Sequence, residues 1–302
     1  MLRYIALAAS ALSLSATAQE AIELTPPVCL QPNINFWHDV YTKYTKYDII
    51  IYNQKTMQVY NVYPRPKGSK KTVKKYKRHL FYKYTKLMPK EKKNIAVKAG
   101  ARGFFEKGFE RMHEHYPKIA EKLKQQGMPH QIAFLPFVES AYSYKATSPV
   151  GAVGAWQIMP ATGRLFGIKK RVRLRDNKVA TDVAIKLLKF NYEILGDWTL
   201  AINAYHSGTG RLLKASNMAN SKDICEILNY LDENDVIIKG YKFYSRNYVA
   251  QLFAIDKAVT ERLNPHVEDE AEETEEGVQD EPEEEDGDAL RLEESNGESP
   301  AP

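Results

Sequence analysis

The chain is poor in cysteine, with only Cys29 and Cys225. They read either as one disulfide in an oxidising compartment or as two buried free thiols. No histidines, cysteines or acidic residues stand at metal-ligand spacing, so no metal is expected. Past its first residues the chain has no apolar run long enough to span a bilayer. It shows no tandem repeat and no alternation of strands with helices, which excludes a solenoid and a doubly wound sheet. Acid is scarce over most of the length: residues 1–266 hold 42 Lys+Arg against 21 Asp+Glu, a net +21.

The overall charge of +5 hides an asymmetry, because residues 267–302 carry 17 acidic residues and one arginine, or −16. A basic body favours anionic partners, such as cell-wall polymers or membrane surfaces. The acidic segment, polar and self-repelling, reads as a disordered tail over 265–302. It serves either solubility or screening of the basic body.

The first residues bear on the compartment. Arg3 is followed by a mostly apolar stretch from Tyr4 to Leu14, and Ala16-Thr17-Ala18 is an Ala-x-Ala-like cleavage site. That pattern reads as a signal peptide over 1–18, hence an exported protein, periplasmic or secreted. Cys29 lacks a lipoprotein-type setting, so no lipid anchor is expected. Export also argues against a nucleic-acid partner.

Residues 19–94 read as an N-terminal lead-in, extended over 19–34 around Pro26, Pro27 and Pro32. Asp48–Tyr52 and Met57–Tyr63 are β-branched and aromatic around a polar turn, the pattern of a small β-hairpin. From Lys70 to Lys86 basic residues interleave with Tyr76, Leu80, Phe81 and Tyr84 at helical spacing. This is an amphipathic helix with a lysine-rich face, either merely solvated or a binding strip. Over 91–126, Ile95, Ala99, Phe105, Phe109, Met112, Tyr116, Ile119 and Leu123 recur three or four apart as a core-facing stripe and predict one or two helices. Further helices are expected at 129–139, 155–166, 178–195, 197–204, 208–217 and 244–262. The domain over 95–264 is therefore mostly α.

The segment from His130 to Lys214 carries the chemistry. Glu139 ends the apolar run Ile132–Val138. A carboxylate in apolar surroundings is costly to ionise, so its pKa rises and it can serve as a general acid near neutrality. The competing reading puts it at an exposed helix end. Gly151 and Gly154 suggest tight turns or close approach to a ligand. Trp156 could stack on a sugar, but core packing is the commoner role.

Taken in order, Glu139-Ser140, Ser148, Gly151-Ala152, Gly154, Gln157, Met159-Pro160, Thr162, Ala204-Tyr205, Gly208 and Tyr248-Val249 resemble the catalytic domain of lytic transglycosylases. These are relatives of goose-type lysozyme. Leu135–Ala141 and Gly196-Asp197-Trp198 are most similar to the membrane-bound lytic transglycosylase D subgroup. The resemblance covers roughly 95–262. It implies a lysozyme-like helical fold and cleavage of the β-1,4 bond between N-acetylmuramic acid and N-acetylglucosamine in peptidoglycan, leaving a 1,6-anhydro end. It further implies Glu139 as the single acid/base catalyst. Ser148 and Gln157 would hydrogen-bond the glycan, Met159 would pack beside it, and Tyr205 and Tyr248 would position substrate or catalyst. No cofactor is implied, and a monomer is expected.

The chain departs from the family pattern twice. His206 stands where the pattern has Asn, and Tyr244-Ser245 where many members have Glu-Thr. Two alternatives stay open: a lysozyme-like hydrolase on the same fold, and a non-catalytic wall-binding protein.

Overall fold

A computed structural model describes residues 22–265, apart from Lys242. The expected signal peptide over 1–18 and nearly all of the acidic tail lie outside the described residues. The chain runs α1 (Gln31–Thr42), β1 (Asp48–Asn53), β2 (Val59–Pro64), α2 (Lys70–Leu87), β3 (Ile95–Ala99), α3 (Arg102–Gln125) and α4 (Leu135–Ser140). It continues with α5 (Pro160–Leu165), α6 (Asn177–Leu195), α7 (Trp198–Ser207), α8 (Thr209–Ala219), α9 (Ile224–Glu233), α10 (Phe243–Arg246) and α11 (Tyr248–Leu263). The fold is mostly helical, with one small antiparallel sheet near the N-terminus, consistent with a helical lysozyme-like domain.

The sheet corrects the reading of 91–126. Its order is β2-β1-β3; the hairpin is present, and Ile95–Ala99 adds a third strand against β1 instead of starting a helix. Ile95 and Ala99 are four apart, a spacing a helix shares. What decides the matter is β1, whose Ile49, Ile50 and Ile51 are all fully buried. A strand buried on both faces needs ladder partners on both edges, since an unpaired buried N–H or C=O is costly. Ile49 and Ile51 face a satellite cluster with Leu80, Tyr84 and Ile95, under α2. Ile50 and Tyr52 face the main core.

Two helices escaped the sequence reading. Within the expected extended stretch, Pro32 sits in the first turn of α1, where a missing N–H costs nothing, and so starts a helix rather than breaking one. Helix α9 is short, and Asp223 caps it by accepting from the backbone N–H of Cys225 and Glu226. Within it, Cys225 is joined to Cys29 in a disulfide, which settles the choice left open between a bridge and free thiols. Two expected helices are shorter than read. Residues 130–134 form a 3-10 turn before α4, and 155–157 are turns before α5.

The elements that place the site are α3, α4, α7 and α11. Phe137 on α4 stacks on Phe105 of α3, with ring centroids 5.4 Å apart. Gly108 of α3 presses on the same ring: a Cβ there would lie 2.3 Å from Phe137 Cε1. Any larger residue at 108 would push Phe137, two positions before Glu139, so this glycine fixes the depth of α4. Helix α11 runs through the core, with Tyr248, Val249, Leu252, Phe253 and Ile255 buried.

Candidate functional site

Helix α4 is only Leu135–Ser140, and Glu139 stands at its C-terminal end. The helix stops because Ala141 takes a left-handed conformation, and Tyr142 follows with another, at φ of 51° and 54°. Two successive non-glycine residues there cost on the order of 1–3 kcal/mol each, and the surroundings hold them in place. The Tyr142 hydroxyl donates to the Ala133 carbonyl at 2.6 Å. Arg111 Nη1, from α3, donates to the Ala141 carbonyl at 3.1 Å. Ser140 Oγ donates to the Ala155 carbonyl at 2.9 Å, which ties α4 to the loop of residues 146–158.

Glu139 is partly buried rather than lying at an exposed helix end. Its enclosure pushes the carboxyl up from the ordinary 4.5 to about 7, against the opposing pull of a hydrogen bond from Tyr248. That bond runs from the Tyr248 hydroxyl to Glu139 Oε1 at 2.7 Å. Burial is the larger of these two causes and the Tyr248 bond the smaller. Tyr205 is also within electrostatic reach. Burial and then the Glu139 charge hold its phenol well above the ordinary value, and its hydroxyl donates to the Trp156 carbonyl at 2.8 Å. Tyr248 and Tyr205 thus stay neutral donors beside the acid.

The loop carrying the remaining expected residues is braced internally. Ser148 Oγ accepts from the Ala152 N–H at 2.9 Å. Gln157 is left-handed, at φ 46°, and its Nε2 donates to the Gly154 carbonyl at 2.7 Å. Gly154 has φ 77°, and a Cβ there would meet the Leu174 carbonyl oxygen at 2.3 Å; glycine is required on both counts. Met159 is 39% exposed and free to meet a ligand. Among the described residues no hydrogen bond joins Ser148, Gln157 or Met159 to Glu139. The structure therefore brings Tyr205 and Tyr248 to the acid and leaves the other three on the adjoining loop. Ser148 retains its O–H and Gln157 its Oε1 for a ligand.

Trp156 is core: it is fully buried, and its Nε1 donates to Thr181 Oγ1 at 3.0 Å. His206 stacks its ring on Tyr248, with centroids 4.7 Å apart. His206 is nonetheless exposed, and partial enclosure by its neighbours lowers its pKa below the ordinary value. Asp197 caps α7, accepting from the Leu200 N–H at 2.8 Å. Arg111 and Ser140 hold the end of α4 but were not among the expected site residues. Ser140 had a signal, its position next to Glu139. Arg111 lies 30 residues before Ala141, and nothing local marks it.

The Tyr248 bond stabilises the carboxylate and so holds the Glu139 pKa down; removing it has a defined sign. In Tyr248→Phe the Glu139 pKa is expected to rise further, moving the alkaline limb of a pH–activity profile upward. The maximal rate should fall about ten- to a hundredfold, the scale of one hydrogen bond to a charged group. An unmoved limb would show that the bond does not tune the acid.

Comparison with known proteins falls on the same segment. Residues 117–228 match the family model of the transglycosylase SLT domain. The membrane-bound lytic murein transglycosylase D of Escherichia coli (strain K12) is 41% identical over 110 residues, covering 34% of this chain and 24% of that protein. A transglycosylase of Enterobacteria phage PRD1 is 34% identical over 83 residues, covering 28% of this chain and 30% of that one. A putative tributyltin chloride resistance protein of Alteromonas sp. (strain M-1) is 30% identical over 107 residues, 34% of this chain and 52% of the relative. The chain thus spans about a quarter of the length of the Escherichia coli relative. The matched stretch holds Glu139, Ser148, Gln157, Met159 and Tyr205, whereas Arg111 and Tyr248 lie outside it. Residues 117–228 of this chain, with Glu139 at the end of α4, are thus similar to transglycosylase SLT domains.

Proposed function

We propose that the protein is an exported peptidoglycan lytic transglycosylase in which Glu139 performs both proton transfers. The observation that carries this reading is a partly buried carboxyl with its pKa near 7, accepting a hydrogen bond from the Tyr248 hydroxyl. Protonated Glu139 gives its proton to the glycosidic oxygen as the bond from that oxygen to C1 of N-acetylmuramic acid breaks. The acetamido group of the same sugar stabilises the developing cation at C1. Glu139, now a carboxylate steadied by the Tyr248 hydroxyl, takes the proton of the C6 hydroxyl. The C6 oxygen closes on C1 and leaves a 1,6-anhydro ring. Atoms balance without water, and the acid returns to its starting form.

A hydrolase that inverts would need a second carboxylate about 6.5–9.5 Å away to activate water. The single-acid scheme needs only the enclosed Glu139 and its Tyr248 partner. Ser148, Gln157 and Met159 bind the glycan from the loop, and Tyr205 holds that loop to α7 through the Trp156 carbonyl. Export is supported by the Cys29–Cys225 disulfide, a linkage that persists in oxidising compartments. Purified sacculi incubated with the protein should release soluble muropeptides. A folded protein that binds sacculi and releases nothing would point instead to a non-catalytic wall-binding role.

A further inference from the structure

Helix α2 lies outside the matched domain, and the proposed reaction leaves it without a role. From Pro64 to Lys90 the chain has eleven lysines and arginines and no aspartate or glutamate. The helix docks on the sheet through Leu80 and Tyr84, which are buried. Its opposite face is a line of exposed side chains at helical spacing: Lys71, Lys75, Arg78, Tyr82 and Lys86. Lys74 and Lys83 flank that line and are also exposed. None of these cations forms an ion pair among the described residues.

The arrangement opposes helix stability. Lys70 and Lys71 occupy the first turn, at the positive end of the helix dipole, where an acid would be favoured. Lys70–Lys74, Lys71–Lys75 and Lys74–Arg78 are like-charge pairs at i, i+4, each destabilising by a few tenths of a kcal/mol. Lys77, half-buried, has its pKa held below the ordinary lysine value by burial and by Arg65. A face needed only for solubility would alternate its charges. This one carries one sign throughout, and an anionic partner would relieve the repulsion.

We propose that the outer face of α2 docks on a membrane surface of anionic phospholipid headgroups. The charges cover about half the helix circumference, a breadth that suits a plane of headgroups better than a single polymer strand. Tyr82, 57% exposed among the lysines, and Leu87, 64% exposed at the helix end, are the amphipathic and apolar groups that settle at headgroup level. Basic side chains near such a surface each add about fivefold to partitioning. The proposal is independent of the reaction assigned to Glu139.

Co-sedimentation of the full chain with phosphatidylcholine vesicles, with and without phosphatidylglycerol, tests it. Binding is expected only with phosphatidylglycerol, weakening as salt rises. Lys71→Glu/Lys75→Glu/Arg78→Glu should lose at least about a hundredfold in partitioning. It should melt no lower than wild type, since acid in the first turn suits the helix, and its activity on soluble glycan fragments should be unchanged. Tyr82→Ser should weaken vesicle binding severalfold while leaving binding to soluble polyphosphate unchanged. Equal binding to both vesicle types, or full binding by the triple variant, would overturn the proposal. So would binding to lipid-free sacculi that the triple variant loses while vesicles bind neither protein, which would assign the face to a wall polymer.

Discussion

Glu139→Gln is expected to abolish release of soluble products from sacculi, a loss of about a thousandfold or more in rate, while making the protein more stable above neutral pH. Both effects come from one cause. Enclosure raises the carboxyl to about 7 in the folded chain, whereas in the unfolded chain it ionises near its ordinary 4.5. Below that value both states hold the proton, and Glu139 costs nothing in charge burial. As pH rises through about 7 the folded chain must hold a charge it disfavours, and stability is lost. The loss totals about 3 kcal/mol once both states are ionised. Glutamine keeps the shape and never charges. The stability gap between variant and wild type should therefore be small at pH 4 and open on the way to pH 8. Denaturant unfolding at those two values measures it. A gap that is constant with pH would mean that Glu139 is not held protonated. Wild-type activity in the variant would refute the assignment of the acid.

The second large effect concerns the disulfide. Cys29 and Cys225 are 196 positions apart, and a crosslink closing so long a loop stabilises by about 5 kcal/mol through the entropy of the unfolded chain. Reduction, or Cys29→Ser/Cys225→Ser, should lower the melting temperature by roughly 10–20 °C. The bridge joins the segment before α1 to α9. Helix α1 in turn meets the residues just before Tyr248: Asn33 Nδ2 and Trp37 Nε1 both donate to Asn247 Oδ1, at 2.8 and 3.1 Å. Loosening the N-terminal segment should therefore also weaken the Tyr248 contact, lowering activity below the melting transition. Reduced protein melting within a degree of oxidised protein would show that the bridge is dispensable.

The catalytic segment was legible because its signals are local. Glu139 ends an apolar run, the glycines sit where the backbone turns or touches its neighbour, and Asp197 precedes the helix it caps. What was not legible depends on distant partners. Ile95–Ala99 is a strand because β1 needs an edge, a demand set more than forty residues earlier. Pro32 can end one segment or begin another, and only the packing of α1 on the core decides. The left-handed Ala141, Tyr142 and Gln157 carry no glycine to announce them. They are held by Arg111, by the Ala133 carbonyl and by the Gly154 carbonyl. Ser148 and Gln157 stand on the expected loop, yet each also braces it. Substituting either would change loop shape and ligand contact together.

The most direct test of the account is the mass of the soluble products from purified sacculi digested by the wild-type chain and by Glu139→Gln. The account requires muropeptides ending in 1,6-anhydro-N-acetylmuramic acid from the wild type and none from the variant. Products heavier by one water, with a free reducing end, would contradict it and would require a second group near Glu139 that delivers water.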